Sequence, residues 1–199
     1  MNDTYLTIAS PSSGIYKEKG SKFIALAYPV ENEEEVKQRL AEVKKKYFDA
    51  RHHCYAYALG YGRQTIRMND DGEPSSSAGK PIYGQLISKD LTDVLVVVVR
   101  YFGGVKLGVG GLIQAYKTAT ADCLESAPVV ERIVEDKFMV AFDYAAMNAV
   151  MKVFKEHNIT TKSHNFDTKC SLEFSVRRTL SDTLRKKISS IPNTEIKPL

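Results

Sequence analysis

Hydrophobic and polar positions alternate along much of the chain and predict a mixed α/β protein. Residues 15–30 alternate around a central Lys-Gly-Ser turn, which predicts a β-hairpin. Apolar residues recur at helical spacing from Val36 to Tyr47, with acidic residues at the start and basic residues at the end, as in an amphipathic helix. Residues 52–59 alternate again, and the uninterrupted apolar run Val94–Val99 is typical of a strand buried on both faces.

The pattern restarts after Ala127-Pro128, which ends a long predicted helix. Beyond this point a strand is expected from Phe138 to Tyr144, and helix, strand, strand, helix and strand follow it. This β-α-β-β-α-β order is the ferredoxin-like arrangement. We therefore predict an α+β protein of two domains, which comprise residues 1–128 and 129–199.

Composition places the chain among ordinary globular proteins, since 43% of its residues are hydrophobic and 26% are charged. No apolar run is long enough to span a bilayer, and the first ten residues lack the pattern of a signal peptide. We therefore expect a cytoplasmic protein without membrane association. Three cysteines without a CxxC pair argue against a disulfide framework or a zinc knuckle. The formal net charge of +4 is compatible with nucleic acid but is not evidence for it.

Two polar segments interrupt the first domain and carry its candidate chemistry. They read NDDGEPSSSAGKP, residues 69–81, and RYFGGVKLGVGG, residues 100–111. The first is not a Walker A loop, because six residues separate Gly72 from Gly79 and Pro81 replaces the magnesium-binding hydroxyl residue. The second lacks the glycine spacing of a dinucleotide-binding fold. We therefore predict no cofactor and no metal site.

The second segment joins a buried strand to a helix, and its glycines can let a phosphate approach free backbone N–H groups. The alternative is that the glycines only make a tight passage from strand to helix. Arg100 can present paired donors to a phosphate, or it can pair with an acidic residue of the first segment and hold the two segments together. The candidate phosphate-binding residues are Lys80, Arg100, Gly103, Gly104, Lys106, Gly108, Gly110 and Gly111.

The first segment offers two further hypotheses. Its carboxylates are oxygen ligands of the kind that divalent metals take, although a solvated Asp-Asp-Gly turn explains them as well. Its serines can include a nucleophile activated by His52 or His53, although serines before a helix usually serve as caps. A helix is expected to begin near Ser75–Ser77. The candidate residues of this polar wall are His53, Asp70, Asp71, Glu73, Ser75, Ser76 and Ser77.

The stretches DDGEPSSSAGKPI and VVVVRYFGGVKLGVGGLIQAY together resemble the signature of the Impact/YigZ family, and the resemblance covers roughly residues 15–125. It implies a ribosomal protein S5 domain 2-like fold for the N-terminal domain. For the C-terminal domain it implies a likeness to the last domain of elongation factor G. One departure is visible, because family members commonly read Ser-Gly-Thr-Ala-Gly where this chain reads Ser-Ser-Ser-Ala-Gly at residues 75–79.

The resemblance also implies a function connected with translation. Eukaryotic relatives regulate translation initiation by competing for the activator of a kinase of initiation factor 2. They use an additional N-terminal RWD domain, which we do not expect here, so that role is not carried over. We expect a binder of RNA or another phosphate-bearing ligand, with RNA or a ribosome-associated component as its partner, rather than an enzyme. The alternative is a metal-assisted phosphoesterase or other hydrolase that uses Asp70, Asp71 and Glu73.

Overall fold

The computed structural model describes residues 3–166 and 170–199, which form two compact units. The N-terminal unit comprises Tyr5–Arg132, and the C-terminal unit combines the residues up to Thr4 with Ile133–Leu199. The sequence predicted a division after residue 128. The observed division lies a few residues later, because a short strand after Pro128 pairs with the first strand of the chain.

The N-terminal unit is built on a five-stranded sheet in the order β2-β3-β6-β4-β5, in which every neighbouring pair is antiparallel. The predicted hairpin is confirmed, and it turns at Lys19 and Gly20, both with positive φ. A separate pair of strands, β1 and β7, was not predicted. The elements in chain order are β1 (Thr4–Ile8), β2 (Ser12–Glu18), β3 (Ser21–Pro29), α1 (Glu33–Lys46), β4 (His52–Leu59), β5 (Thr65–Asn69), α2 (Gly79–Ser88), β6 (Val94–Tyr101), α3 (Gly108–Glu125) and β7 (Val129–Ile133).

The central strand β6 is buried on both faces, as its sequence predicted, and residues 94–99 are fully buried. Val94, Val96 and Val98 pack into a core with residues of α2 and α3. The residues between them pack into a second core with α1. Burial of each side chain of this size stabilises the fold by roughly 1.5–3 kcal/mol. Strand β6 is therefore firmly held where it leads into the glycine-rich segment.

Both helices beside the polar segments begin at other residues than the sequence predicted. Helix α2 begins at Gly79 rather than near Ser75–Ser77, because the chain before it forms hydrogen-bonded turns. Helix α3 begins at Gly108, so the last glycines of the glycine-rich segment belong to its first turn. Helix α3 therefore starts at the candidate residue Gly108, and the candidate residue Lys80 is the second residue of α2.

The C-terminal unit has the predicted β-α-β-β-α-β order around an antiparallel sheet of order β11-β8-β10-β9. The first strand ends earlier than predicted, because the chain turns at Tyr144–Ala146 into a 3-10 helix and leaves Tyr144 exposed. No helix in the described part of the chain is long and apolar enough to cross a membrane. The elements are β8 (Glu135–Phe142), α4 (Met147–Glu156), β9 (Thr161–Phe166), β10 (Cys170–Arg177), α5 (Arg178–Ser189) and β11 (Thr194–Pro198).

Candidate functional site

The acidic loop, residues 69–78, connects β5 to α2 and is organised around Asp70. One carboxylate oxygen of Asp70 accepts the N–H groups of Ala78 and Gly79 at 3.0 and 2.8 Å, and the other accepts the N–H of Ser76 at 2.8 Å. Asp70 thus occupies the free N–H groups at the start of α2, a position where a negative charge also suits the helix dipole. The helix is capped by a residue nine positions upstream of its first residue, not by the serines that the sequence suggested.

Asp71 ties the acidic loop to the start of β4. Its carboxylate accepts the backbone N–H of His53 at 2.7 Å, and its carbonyl accepts the Nδ1–H of His52 at 2.9 Å. His53 is buried, and its Nε2–H donates to the carbonyl of Tyr47 at 3.0 Å. Both histidines therefore serve to fix the loop.

Glu73 and Arg100 form a buried ion pair that joins the two polar segments. The Nη1 of Arg100 donates to both carboxylate oxygens of Glu73, at 2.7 and 2.9 Å. The two side chains are only 7% and 4% exposed. The hydroxyl of Tyr116 in α3 donates to the same carboxylate at 2.7 Å. The sequence left open whether Arg100 binds a phosphate or pairs with the acidic segment, and the structure shows the pairing.

A thiol completes this buried network. The Sγ of Cys54 lies 3.2 Å from the hydroxyl of Tyr116 and 3.0 Å from the carbonyl of Asp70. Burial raises the pKa of the Cys54 thiol to about 12, so the thiol is protonated at neutral pH. Burial, together with Cys54 and Glu73, also raises the pKa of Tyr116 far above its ordinary value. Both groups therefore act as hydrogen-bond donors and not as nucleophiles.

The guanidinium of Arg100 lies between two aromatic rings. Its Cζ is 5.5 Å from the centre of the Phe23 ring and 5.6 Å from the centre of the Phe102 ring. Such cation–π contacts are favourable, especially at a desolvated site. The Nε–H of Arg100 is buried and has no hydrogen-bond partner among the residues that the structure describes. The ion pair therefore leaves one buried donor of this arginine unused.

The glycines of the second segment differ in the structural reason for which glycine is needed at each position. A Cβ at Gly103 would lie 1.9 Å from the carbonyl carbon of Gly20, so Gly103 is required by the close approach of two backbones. Gly104 and Gly108 have φ values of +88° and +73°, which glycine adopts most easily. A Cβ at Gly111 would meet the side chain of Leu107 at 3.0 Å. Gly110 is helical, and a Cβ there would meet nothing within 4 Å.

The first N–H groups of α3 are not capped by any described residue, whereas those of α2 are bonded to Asp70. The N-cap of α3 is Leu107, whose side chain cannot accept a hydrogen bond, and within residues 3–166 and 170–199 no side chain accepts from its first N–H groups. The residues around it, including the candidate Lys106, are exposed. Lys80, at the start of α2, is exposed as well. An uncapped helix start with glycines facing open space is a place where an anion can reach backbone N–H groups.

The three serines have separate environments and do not form a catalytic group. Ser77 is buried, and its hydroxyl donates to the carbonyl of Pro74 at 2.6 Å. Ser75 and Ser76 are exposed, and the nitrogens of His52 and His53 that bond the carbonyls of Asp71 and Tyr47 are directed elsewhere. The hypothesis of a histidine-activated serine is wrong, since the structure gives these groups other partners.

Ser76 stands where the family pattern commonly has glycine, and it adopts a backbone conformation that favours glycine. Its φ of +62° lies in the left-handed region, where glycine is favoured. We expect Ser76→Gly to raise the free energy of unfolding by about 1 kcal/mol, because relief of strain exceeds the entropy that glycine adds to the unfolded chain. Chemical denaturation followed by circular dichroism measures this difference. Ser75→Gly is the matched control, since Ser75 is exposed and has no positive φ, and it should not stabilise the protein.

The structure does not support the metal-site hypothesis either. The carboxylates of Asp70, Asp71 and Glu73 are directed to backbone N–H groups or to Arg100, and each has its own partners. In the described ranges, 3–166 and 170–199, no three His, Cys, Asp or Glu residues are grouped so that they could hold a metal ion. The acidic segment is therefore a structural loop that positions α2 and Arg100.

Sequence reasoning missed the partners that complete the network. Tyr116 was taken for a core residue, and it is indeed buried, but its hydroxyl belongs to the site. Cys54 and Phe23 were also assigned no role in the site. For the two strand residues the signal was their position near Arg100 in the sheet, since Arg100 lies opposite Phe23 and opposite His52, two positions before Cys54.

Comparison with known proteins gives four similarities. A family model described as the Impact N-terminal domain matches residues 19–124. IMPACT family member YvyE of Bacillus subtilis (strain 168) is 30% identical over 193 residues, 97% of this chain and 89% of the relative. IMPACT family member YigZ of Escherichia coli (strain K12) is 31% identical over 150 residues, 74% of each chain. A crystal structure of a hypothetical protein matches all of this chain and 98% of its own with a TM-score of 0.79 and 24% identity, which shows a shared fold.

Proposed function

Since the chain belongs to the Impact family, we propose that it is a cytoplasmic binding protein that recognises RNA or another phosphate-bearing ligand and acts in translation. Both motifs that carried the resemblance lie within residues 19–124, so the family assignment made from them is confirmed. The proposed connection with translation is carried by that resemblance. The proposed binding of a phosphate is carried by the geometry of the glycine-rich segment.

The observation that carries the phosphate site is Gly110. Glycine inside a helix costs roughly 1 kcal/mol relative to alanine, and neither a positive φ nor a close neighbour requires it at this position. The N–H groups of the first turn have no partner within the helix, and no side chain of the described residues caps them. A glycine whose open side borders free N–H groups suits a ligand that approaches the backbone closely.

The charges of the site agree with this proposal. The helix dipole places partial positive charge at the start of α3, and the exposed Lys106 adds a full charge beside it. The buried Arg100 adds positive charge to this end of the unit, and its ion pair with Glu73 keeps the guanidinium in place. Lys80 adds attraction without a fixed geometry, because it is exposed.

The finer fold assignments are also proposals. We infer a ribosomal protein S5 domain 2-like fold for the N-terminal unit and a likeness of the C-terminal unit to the last domain of elongation factor G. The sheet order of the C-terminal unit supports the second assignment, because it is the order of a ferredoxin-like fold. Both assignments agree with a protein that works near RNA.

The test of the phosphate site is Gly110→Ala. We expect its affinity for inorganic polyphosphate and for single-stranded RNA to fall about tenfold, because a methyl group hinders hydrogen bonds from the backbone to the anion. Its stability should rise by up to about 1 kcal/mol, since alanine favours the helix. Affinity is measured by isothermal titration at two salt concentrations, and stability by chemical denaturation.

Gly84→Ala is the matched control. Gly84 is also helical, and a Cβ there would meet nothing within 4 Å, but it lies inside α2, where its N–H is bonded within the helix. It should show the same gain in stability and unchanged binding. Equal affinity of Gly110→Ala and the unmodified protein would contradict the proposed site at the start of α3.

A further inference from the structure

Phe102 is an exposed aromatic residue that precedes the proposed phosphate site at the start of α3 by six positions. It follows the last residue of β6, and 54% of it is exposed to solvent. Its ring lies 5.6 Å from the guanidinium carbon of Arg100, which in turn lies over the ring of Phe23. The Phe102 ring thus contacts a buried cation on one side while much of its surface faces solvent.

The residues on both sides of Phe102 are held in place. Tyr101 pairs with Lys22 in the ladder between β6 and β3. Gly103 packs against the backbone of Gly20, and its N–H donates to the hydroxyl of Ser21 at 3.1 Å. Arg100 is fixed by its ion pair with Glu73. A ring in such a position is preorganised, so a ligand that stacks on it pays little entropy to order it.

We propose that Phe102 is a stacking platform for a nucleobase, and that the ligand of the site is single-stranded RNA. This inference rests on the proposed function, since it takes the phosphate to lie at the start of α3. Six positions separate Phe102 from Gly108, the first residue of that helix. A single strand carries both chemistries that this short segment presents, flat apolar rings for the aromatic side chain and phosphates for the N–H groups.

Stacking explains the combination of exposed groups better than a protein partner does. An apolar peptide can cover Phe102, but it offers no anion to the free N–H groups of α3 or to Lys106. A duplex offers phosphates, but its base faces are stacked on one another. Base stacking on an aromatic side chain contributes roughly 1–3 kcal/mol per base, which corresponds to about 5- to 150-fold in affinity.

The test compares two probes, a single-stranded oligoadenylate of about ten nucleotides and inorganic polyphosphate, which has no bases. Phe102→Ala is expected to weaken oligoadenylate binding by about tenfold and to leave polyphosphate binding unchanged. Phe102→Tyr should keep the affinity for both. Phe48→Ala is the matched control, because Phe48 is 83% exposed and lies at the end of α1, and it should change neither affinity.

A fluorescent variant gives an independent readout. The chain contains no tryptophan, so Phe102→Trp introduces a single reporter at the platform. Oligoadenylate should quench its fluorescence by stacking, polyphosphate should not, and Phe48→Trp should respond to neither.

The outcomes separate this inference from the proposed function. If Phe102→Ala binds oligoadenylate as the unmodified protein does, stacking is wrong, while polyphosphate binding still supports the phosphate site. If Phe102→Ala loses polyphosphate and oligoadenylate equally, the ring has a structural role and the platform is also wrong. If the unmodified protein binds neither probe, the proposed function fails, and the platform fails with it. A response to an apolar peptide but not to oligoadenylate overturns the choice of RNA.

Discussion

Glu73→Gln is expected to lower the free energy of unfolding by about 3–5 kcal/mol, because it leaves the buried charge of Arg100 without its counter-ion. The two side chains are almost fully buried, and Glu73 is also the acceptor for Tyr116. Breaking this pair therefore loosens the contacts among the acidic loop, the end of β6 and α3. Chemical denaturation of the full chain, followed by far-ultraviolet circular dichroism, measures the loss.

Glu125→Gln is the control for the chemistry of the substitution. Glu125 forms an ion pair with Lys89 in the same unit, but its side chain is 79% exposed. Exposed pairs contribute about 0–1 kcal/mol, so this variant should resemble the unmodified protein. If Glu73→Gln costs no more than Glu125→Gln, the buried pair does not hold the two segments together.

A double variant separates the ion pair from the packing around it. Arg100→Met removes the buried charge and keeps an apolar side chain against Phe23. Together with Glu73→Gln it should be less destabilised than the sum of the two single variants, because no unpaired charge remains. The glutamine can still accept the hydroxyl of Tyr116. An additive result would show that Glu73 and Arg100 act independently.

The elements that were predicted well are those whose buried face repeats at a regular spacing of apolar residues in the sequence. Helix α1 needs an apolar stripe, and β4 needs alternation, so both could be recognised locally. The unbroken apolar run of β6 predicted that both faces of this strand are buried. The ferredoxin-like order of elements followed from the spacing of apolar residues after Pro128. Strands β1 and β7 were missed because they are short and largely lack alternation in burial.

The connections of the site were only partly predictable, because long-range hydrogen bonds leave no period in the sequence. The two polar segments were identified, and Arg100 was recognised as a possible link between them. The sequence could not show which acidic residue pairs with Arg100, because Glu73 lies 27 positions away and becomes a neighbour only in the folded protein. The role of Asp70 as the cap of α2 was hidden for the same reason, because serines closer to the helix looked like better caps.

Glycines posed a different difficulty, because the same residue serves packing, conformation or access to a ligand. The sequence grouped five glycines from Gly103 to Gly111 as phosphate-binding candidates. In the structure the backbone of Gly20 and Ser21 blocks the Cβ position of Gly103, whereas the Cβ position of Gly110 borders open space. The site is therefore better placed at the start of α3 than over the whole segment. This assignment yields a second strong prediction, in which two glycines of the same segment respond in opposite ways to the same substitution.

Gly103→Ala is expected to destabilise the protein by about 3 kcal/mol or more, the upper end of the usual cost of overpacking. The added Cβ would lie 1.9 Å from the carbonyl carbon of Gly20 and 2.2 Å from the backbone nitrogen of Ser21, so a backbone and not a flexible side chain has to move. The turn between β2 and β3 would separate from the end of β6. The hydrogen bond from the N–H of Gly103 to the hydroxyl of Ser21 would be lost with it.

The measurement is again chemical denaturation, with Gly110→Ala as the internal comparison, because it adds the same methyl group seven positions further on, in open space. A stable Gly103→Ala that binds polyphosphate weakly would reverse the assignment and make Gly103 part of the ligand site. Destabilisation at Gly103 and weakened binding at Gly110, each without the other effect, would instead separate the two roles. The first glycine would then hold the strand end and Phe102 in place, and the second would leave the helix start accessible to the phosphate.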